Sequence, residues 1–277
     1  MPELPEVETV VRTLRPQLVG RNILAVWSSG LPLRMQRMVD VEGLRSLCRG
    51  TNVRSVARRA KYILIDLERR GRHAGIVLVH LGMTGRLRIE QDRSPRVKHT
   101  HVAWRLSGAL ELRFVDPRRF GSVQAASGRD DFPELALLGP DALTALKAED
   151  LAVGLAKSVA PIKAFLLDQR RVSGLGNIYV CEALFRARIH PRTPARRTCG
   201  QASRLVNAIR KTLDLGIANC GTSFRDFVDA HGEAGTNLEA LLVYGRDGEP
   251  CTRCGTDILR SVDAGRSTFF CARCQKR

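Results

Sequence analysis

The first helix that the hydrophobic pattern predicts begins near Pro5 and ends near Val19. Within it, apolar residues recur every three or four positions, which places them on one face of a helix. Pro5 suits the first turn, Glu6 suits the positive end of the helix dipole, and Pro16 is expected to kink the last turn. The apolar face comprises Val7, Val10, Val11, Leu14 and Leu18.

Downstream of this helix the hydrophobic period changes to two, which is typical of β-strands with one buried face. Turn residues separate the alternating runs, so the sequence predicts an antiparallel sandwich or barrel in the first half of the chain. Beyond about residue 140 the helical period returns. The predicted strands are RNILAVWS, KYILIDLE, AGIVLVHL, GRLRIE, HVAWRL and LELRFVD, and the predicted helices are PIKAFLLDQ, NIYVCEALFRARI and QASRLVNAIRKTLDLGI.

These changes of pattern predict the domain organisation. A chain of 277 residues is long for a single hydrophobic core, so two folded domains are expected. We assign residues 1–140 to a β-rich domain that includes the N-terminal helix, and residues 141–244 to a helical domain. Residues 245–277 are rich in Gly, Cys and Arg and are too few for a core of their own. The predicted fold class is α+β.

The charge of the chain narrows the class of partner. Lys and Arg number 45 against 28 Asp and Glu, which gives a formal net charge of +17. Such an excess is typical of nucleic-acid-binding proteins. A membrane protein is the alternative, but the basic residues do not gather on one amphipathic helix, and no apolar run is long enough to span a bilayer. Because acids stand where a secretory signal carries bases, we expect a cytoplasmic, nucleoid-associated protein with reduced cysteines.

Four cysteines near the C-terminus have the spacing of a metal site. They form the pairs CTRC and CARC, with sixteen residues between the pairs. Two such pairs can place four thiolates tetrahedrally around one structural Zn²⁺, which leaves no open position for catalysis. A redox dithiol is normally a single pair, and reducing conditions disfavour disulfides. The predicted ligands are Cys251, Cys254, Cys271 and Cys274, whereas Cys48, Cys181, Cys199 and Cys220 lack ligand spacing.

A glycine-containing turn between two predicted helices is a candidate phosphate-binding site. The segment RVSGLGNIYVCEALF places Asn177 at the start of the second helix, where its side chain can cap the helix while free amides face a phosphate. Lys163 lies on the preceding helix. Helix hairpins also turn on glycine for packing alone, and that reading stays open. The positive net charge favours phosphate binding.

Several stretches together resemble one family of DNA repair enzymes. These are MPELPEVET, RRAKY, HLGMTGRL, DPRRFG, GLGNIY, YGRDGEPCTRCG and RSTFFCARCQ. They occur in the order found in the bacterial formamidopyrimidine-DNA glycosylases, and they span essentially the whole chain. The resemblance implies an N-terminal β-sandwich flanked by helices, a helical domain with a helix-two-turn-helix, and a zinc-finger hairpin. It further implies removal of oxidised purines from damaged double-stranded DNA and cleavage of the strand at the abasic site, by a monomer.

The resemblance gives a role to the first residues. Removal of Met1 would free the secondary amine of Pro2, and an unperturbed α-amino group has a pKa near ~8, so part of it is neutral at physiological pH. That amine would attack the sugar C1′ and form a Schiff base, an iminium without a nitrogen proton. Glu3 would protonate the sugar ring oxygen, and Glu6 would support the same site.

Further roles are implied for residues elsewhere in the chain. Lys61 would contact phosphate and assist elimination, and Arg266 would grip the phosphate beside the lesion and take part in the second elimination. Because the target base must leave the duplex, side chains must fill the space that it vacates. Met83, Arg118 and Phe120 match the filling residues, and the other expected DNA contacts are His99, Asn177, Lys163, His80 and one residue of the Lys157–Ser158 pair.

Two stretches depart from the family pattern. The segment GLPLRMQRMVD has no assigned role, and the loop GTSFRDFVDAHGEAGTNLEA carries Arg225 where relatives are expected to have lysine, which leaves lesion preference open. The nearest alternative is an endonuclease VIII-like enzyme for oxidised pyrimidines. A non-catalytic zinc-ribbon DNA-binding protein is the alternative from another class, but it gives no reason for Pro2 and Glu3 to accompany Lys61 and Arg266.

Overall fold

The computed structural model describes residues 1–34, 38–223 and 227–276. The stretch GLPLRMQRMVD is therefore described only in part, and Arg225 lies outside the described residues. The chain forms two compact units. The first, here called the N-terminal unit, comprises Met1–Ala136 and Asn219–Thr236, and the second, the C-terminal unit, comprises Leu137–Ala218 and Asn237–Arg277.

An eight-stranded antiparallel sheet dominates the N-terminal unit, in the order β5-β7-β6-β1-β2-β3-β4-β8. Leu87 near one edge of the sheet and Val123 at the other edge belong to the same buried core. The sheet thus folds over a single core, which confirms the predicted sandwich. Its strands are β1 Asn22–Ser28, β2 Thr51–Arg59, β3 Tyr62–Arg69, β4 Arg72–His80, β5 Arg86–Gln91, β6 Thr100–Leu106, β7 Leu110–Val115 and β8 Ser122–Ala126.

The helix predicted at the N-terminus is α1, Leu4–Leu18. Its apolar face packs into the same core, where Val7, Val11 and Leu14 are fully buried. Pro16 lies inside the helix, which continues to Leu18. A proline near a helix end removes few intrahelical hydrogen bonds, since little helix follows it. The other helices of this unit are α2 Val41–Cys48, the 3-10 helix Arg129–Asp131 and α3 Pro133–Ala136.

The C-terminal unit is helical and ends in a two-stranded hairpin. Helix α6 packs on α7, and β9 pairs with β10 in antiparallel register. A small core joins α6 to the cysteine-rich segment through Phe185, Ile258 and Phe269. The elements are α4 Ala148–Ala156, α5 Ile162–Leu167, α6 Asn177–Arg186, the 3-10 helix Ala195–Gln201, α7 Ala202–Ala218, the 3-10 helix Asn237–Ala240, β9 Leu259–Asp263 and β10 Arg266–Phe270.

Within the described ranges, no helix combines the length and the apolar character needed to cross a bilayer.

Candidate functional site

The N-terminal end of α1 is held by reciprocal hydrogen bonds. Glu3 is the N-cap residue, and its side chain accepts from the backbone of Glu6 while Glu6 Oε2 accepts from the Glu3 N–H at 2.8 Å. The other carboxylate oxygen of Glu6 accepts from the N–H of Thr222 at 2.8 Å. Pro2 precedes this cap and is buried. The residue proposed as nucleophile is therefore attached to a fixed helix terminus, whose dipole favours nearby negative charge.

Lys61 lies in the two-residue turn between β2 and β3 and is only 6% exposed. The side chain of Arg58 connects this turn to helix α1. Its Nε donates to Glu8 Oε2 at 2.9 Å, and its guanidinium also donates to the carbonyl oxygen of Ala60 at 3.1 Å. Burial acts to raise the pKa of Glu8, but hydrogen bonds from Arg12 and Arg58 outweigh it and the net pKa is lowered. The Glu8–Arg58 pair therefore stays ionised and fixes the turn of Lys61 against α1.

His80 is the cross-strand neighbour of Tyr62, and their ring centroids lie 4.8 Å apart. Nδ1 of His80 accepts from the Gly82 N–H at 3.0 Å, so the proton of the neutral ring is on Nε2. Burial first, and then the charges of Arg34 and Lys61, lower the pKa of His80 to about 3. At neutral pH His80 is therefore an uncharged hydrogen-bond donor, which sequence alone did not indicate.

Two loops of the N-terminal unit present the three predicted filling residues. Met83 is 39% exposed and Phe120 is 45% exposed, although both residue types are more often buried. The guanidinium carbon of Arg118 lies 4.5 Å above the centroid of the Phe120 ring. A Cβ atom on Gly82 would lie 2.4 Å from the Phe120 carbonyl carbon, so the two loops touch backbone to backbone. His99, on a third loop, is exposed with φ +68.

Arg266 lies at the tip of the β9–β10 hairpin in the C-terminal unit. The two turn residues, Ala264 and Gly265, have φ +48 and φ +73, the left-handed pair of a tight hairpin turn. Arg266 follows directly and is exposed. The turn therefore holds the predicted phosphate-binding guanidinium at the surface on a short, well-defined hairpin.

Lys163 and Asn177 converge on this hairpin from two helices. Lys163 Nζ donates to the Ser267 carbonyl at 2.9 Å and to Thr268 Oγ1 at 2.7 Å, and Lys163 is only 4% exposed. Asn177 Nδ2 donates to the same Ser267 carbonyl at 2.9 Å. Both residues are thus tied to the residue after Arg266. Their predicted DNA contacts stay predictions.

The prediction that the Asn177 side chain caps α6 was wrong. The N-cap is Gly176, without a side-chain hydrogen bond, and Asn177 is the first residue of α6, with its Nδ2 donating to the hairpin. Of the Lys157–Ser158 pair, Lys157 is exposed, whereas Ser158 is buried. Lys157 is therefore the member of this pair that is accessible to a phosphate.

The four predicted zinc ligands come together at the base of the hairpin. The Sγ atoms of Cys251, Cys254, Cys271 and Cys274 all lie within 4.8 Å of one another. Two of these separations are 3.5 and 3.9 Å. Sulfur atoms around a tetrahedral zinc with bonds of ~2.3 Å lie about 3.8 Å apart, so the arrangement fits the ion.

The pKa values of the clustered cysteines also favour binding of a cation. Hydrogen bonds from the backbone and side chain of Thr256 lower the pKa of Cys254 to about 6. Burial, and then the neighbouring sulfur atoms, raise the pKa of Cys274 to about 12. Four thiols packed this closely resist losing all their protons until a cation neutralises their charge.

Comparisons with known proteins cover the whole chain. The formamidopyrimidine-DNA glycosylase N-terminal domain matches residues 1–123 and the H2TH domain of the same glycosylase matches residues 138–228. A zinc finger found in FPG and IleRS matches residues 248–277. The chain belongs to the formamidopyrimidine-DNA glycosylase family. The family zinc finger contains all four cysteines, and the chain accordingly holds one structural zinc.

Individual members of the family are similar over their full length. The formamidopyrimidine-DNA glycosylase of Rhizorhabdus wittichii is 46% identical over 280 residues, covering 100% of both chains. A solved complex of wild-type Lactococcus lactis Fpg with DNA that contains N7-benzyl-Fapy-dG has a TM-score of 0.89 and 32% identity, covering 100% of both chains. A complex of Lactococcus lactis Fpg with DNA containing an abasic site has the same score and identity, covering 99% of this chain and 100% of that one.

One structural carboxylate of this family member was missed by sequence reasoning. Glu182 on α6 is 1% exposed and accepts hydrogen bonds from the backbone N–H groups of Leu242, Val243 and Tyr244. Burial outweighs these bonds and raises its pKa. The Tyr244 hydroxyl in turn lies 3.4 Å from Asn177 Nδ2. No local pattern marks Glu182, because its partners lie some sixty residues away in sequence.

Proposed function

We propose that this glycosylase removes oxidised purines, namely formamidopyrimidines and 8-oxoguanine, from damaged double-stranded DNA and cleaves the strand at the resulting abasic site. The observation that carries the proposal is the buried Pro2–Glu3 pair at the capped end of α1, in a chain that matches the family from end to end. Base-excision repair of this kind takes place on the chromosome, so we place the protein in the cytoplasm in association with the nucleoid, as a monomer.

The first step would be attack on the sugar by the N-terminal amine. Once Met1 is removed, the lone pair of the Pro2 nitrogen forms a bond to C1′, and the glycosidic bond breaks with its electron pair on the departing base. Glu3 takes up the proton that the amine nitrogen loses and donates it to the ring oxygen as the C1′–O4′ bond opens and the nitrogen lone pair forms the C=N bond. The product is an iminium between Pro2 and the opened sugar. The buried cap of α1 supports this step, because it fixes Glu3 directly beside the nucleophile.

Strand cleavage would follow from the iminium. A base removes a C2′ proton, the electrons move into the iminium, and the C3′–O3′ bond breaks with loss of the 3′ phosphate. In a second elimination a proton is removed from C4′, the electrons move into the conjugated iminium, and the C5′–O5′ bond breaks; water then hydrolyses the iminium to regenerate the amine. Lys61 would contact the phosphates and assist the first elimination, and Arg266 would bind the phosphate that leaves second. Positive charge near a leaving phosphate stabilises its developing anion.

DNA binding would use residues of both units. The exposed Met83, Arg118 and Phe120 fill the space of the extruded base, and His99, Asn177, Lys157 and Lys163 belong to the phosphate-contacting regions. The net charge of +17 makes binding fall steeply with salt. We accordingly propose a catalytic role for residues 1–140, DNA binding for residues 141–244, and presentation of Arg266 for residues 245–277.

Excision assays with paired lesion duplexes test this proposal. Duplexes that contain 8-oxoguanine, a formamidopyrimidine or an oxidised thymine would be incubated with protein whose N-terminus is verified by mass spectrometry. Preferential excision of the two purine lesions, followed by loss of both phosphates, is the expected result. Preference for the thymine lesion would support the endonuclease VIII-like alternative. Binding without excision of any lesion would support the non-catalytic zinc-ribbon alternative.

A further inference from the structure

The carboxylate of Asp116, directly after β7, joins the two loops that carry Met83 and Phe120. Asp116 is fully buried. Its Oδ1 accepts a hydrogen bond from the Thr84 hydroxyl at 2.5 Å and another from the Arg118 N–H at 3.3 Å. Its Oδ2 accepts from the Gly121 N–H at 2.8 Å. The same side chain thus bonds both the loop after β4 and the loop before β8.

The residues so bonded flank the proposed filling residues. Thr84 follows Met83 directly, and Gly121 follows Phe120 directly. Arg118 donates its backbone N–H to the Thr84 hydroxyl as well, at 3.4 Å. The Asp116–Thr84 bond therefore lies between the two loops and ties one filling side chain to the others.

The backbone of Asp116 extends the connection to a third loop. Its N–H donates to the His99 carbonyl at 3.0 Å, and its carbonyl oxygen lies 3.1 Å from Nε2 of the buried His101. Gly121 is also confined, because an added Cβ would lie 2.5 Å from the Phe114 ring and 2.6 Å from the His80 carbonyl. The loops have little freedom to move apart while these contacts persist.

We propose that Asp116 and Thr84 form a positioning pair that makes Met83, Arg118 and Phe120 enter the DNA as one rigid group. The proposal rests on the proposed function, since it concerns how the lesion is extruded. Neither residue of the pair would touch the reacting atoms. Their contribution would be to hold the filling side chains in the geometry that replaces the extruded base. Less conformational entropy is then lost when these side chains are ordered during extrusion.

This role predicts that the loss of excision rate on disrupting the pair depends on how tightly the lesion is paired with the opposite base. Extruding a paired base costs a few kcal/mol, and a mismatched base costs less. A disordered filling group should therefore slow excision of a well-paired lesion most, and a mismatched lesion less. Cleavage at a pre-formed abasic site should respond least, because no base has to be extruded. A general weakening of the fold would slow all three reactions alike.

A matched pair of variants at position 84 tests the proposal. Thr84→Val keeps the shape of the side chain and removes the hydroxyl, whereas Thr84→Ser keeps the hydroxyl. Single-turnover rates would be measured on 8-oxoguanine opposite cytosine, on 8-oxoguanine opposite a base that mispairs with it, and on a pre-formed abasic site. Loss of one hydrogen bond to a carboxylate predicts a roughly tenfold slower reaction of Thr84→Val on the paired lesion. On the abasic site the same variant should be within about threefold of the wild type, and Thr84→Ser should restore the paired rate.

A second measurement separates this proposal from the proposed function. In a duplex with an uncleavable abasic analogue, 2-aminopurine opposite the analogue reports insertion of side chains by a fluorescence change. The change should be reduced or slowed about tenfold in Thr84→Val and retained in Thr84→Ser. A wild-type chain that gives the change without excising any lesion would refute the proposed function alone. The positioning pair would be overturned if Thr84→Val and Thr84→Ser gave the same rates and the same fluorescence change. It would also be overturned if Thr84→Val slowed the reaction equally on all three DNAs, or if the wild type gave no fluorescence change.

Discussion

Glu6 Oε1 accepts a hydrogen bond of 2.8 Å from the backbone N–H of Thr222, across 216 positions of sequence. The second oxygen of the same carboxylate accepts from the Glu3 N–H. One buried side chain therefore fixes both the start of α1 and the segment Asn219–Thr236, the loop region expected to influence lesion preference.

Glu6→Gln tests this double contact. Glutamine keeps the size of the side chain but has one acceptor oxygen, so one of the two N–H groups would face an amide donor. A buried donor without a partner costs about 1–3 kcal/mol, and we expect the free energy of unfolding to fall by that amount in urea titrations. Glu42→Gln, at an exposed residue of α2, is the control and should change stability by less than about 0.5 kcal/mol. Equal stability of Glu6→Gln and the wild type would contradict the bridging role.

The depressed pKa of His80 predicts a loss of stability in mild acid. In the folded chain the pKa of His80 is about 3, against 6.5 for an ordinary histidine. Between these values the unfolded chain binds a proton that the folded chain does not, so stability falls as pH falls below 6.5. The slope from this group is about 1.4 kcal/mol per pH unit, or about 2 kcal/mol between pH 6.5 and pH 5.

Urea denaturation of His80→Gln at pH 7 and pH 5 measures this slope. The variant should lose less stability between the two pH values than the wild type does, by up to about 2 kcal/mol. His231→Gln, at an exposed histidine, serves as the control and should retain the wild-type slope. A His80→Gln slope identical to that of the wild type would show that His80 titrates normally.

Lys163→Met tests whether the buried lysine positions the hairpin of Arg266. Methionine keeps much of the volume but removes both hydrogen bonds to Ser267 and Thr268. Because hydrogen bonds to a charged group contribute about 1.5–3 kcal/mol each, we expect the second elimination, which depends on Arg266, to slow tenfold or more. Product analysis on gels separates the first elimination from the second. Zinc content should stay at one ion per chain.

Lys157→Met is the matched comparison for this lysine. Lys157 is exposed, so its loss should weaken DNA binding modestly and reduce the salt dependence without changing the ratio of the two eliminations. The same ratio of eliminations in Lys163→Met and Lys157→Met would contradict the positioning role of Lys163.

Cys254→Ser tests the role of the metal. Serine does not replace a thiolate ligand, so the variant should lose zinc, measured by atomic absorption, and with it the order of the β9–β10 hairpin. DNA affinity should drop at least tenfold while the N-terminal unit keeps its strand signal in circular dichroism. Cys199→Ser, outside the cluster, should keep both zinc and affinity. Full DNA affinity in metal-free Cys254→Ser would contradict this account of the hairpin.

The parts of the structure that sequence could predict are those set by local spacing. The cysteine pairs, the apolar stripe of α1 and the alternating runs of six strands all depend on neighbours within one element. Strands β2 and β8 were missed. In β2 the burial pattern is irregular, with partly buried polar residues near its end, so strict alternation is lost.

Long-range polar contacts could not be predicted. Lys163 meets Thr268 across 105 positions and Asp116 meets Thr84 across 32, and no periodicity marks either pair. A lysine in a basic sequence is more often solvated than buried, so the sequence does not indicate that Lys163 is buried against the hairpin. Likewise, Asn177 has the side chain of a helix cap, but it lies one residue inside the helix, and its Nδ2 donates to the hairpin carbonyl of Ser267.

The N-terminal amine is the centre of the proposed mechanism, and borohydride trapping tests it most directly. Protein that begins at Pro2 would be mixed with DNA containing 8-oxoguanine in the presence of borohydride, and the trapped complex digested and sequenced by mass spectrometry. We expect a reduced sugar adduct on the nitrogen of Pro2, and no adduct in protein that retains Met1. An adduct on Lys61 or another lysine, or excision by protein that retains Met1, would contradict the mechanism.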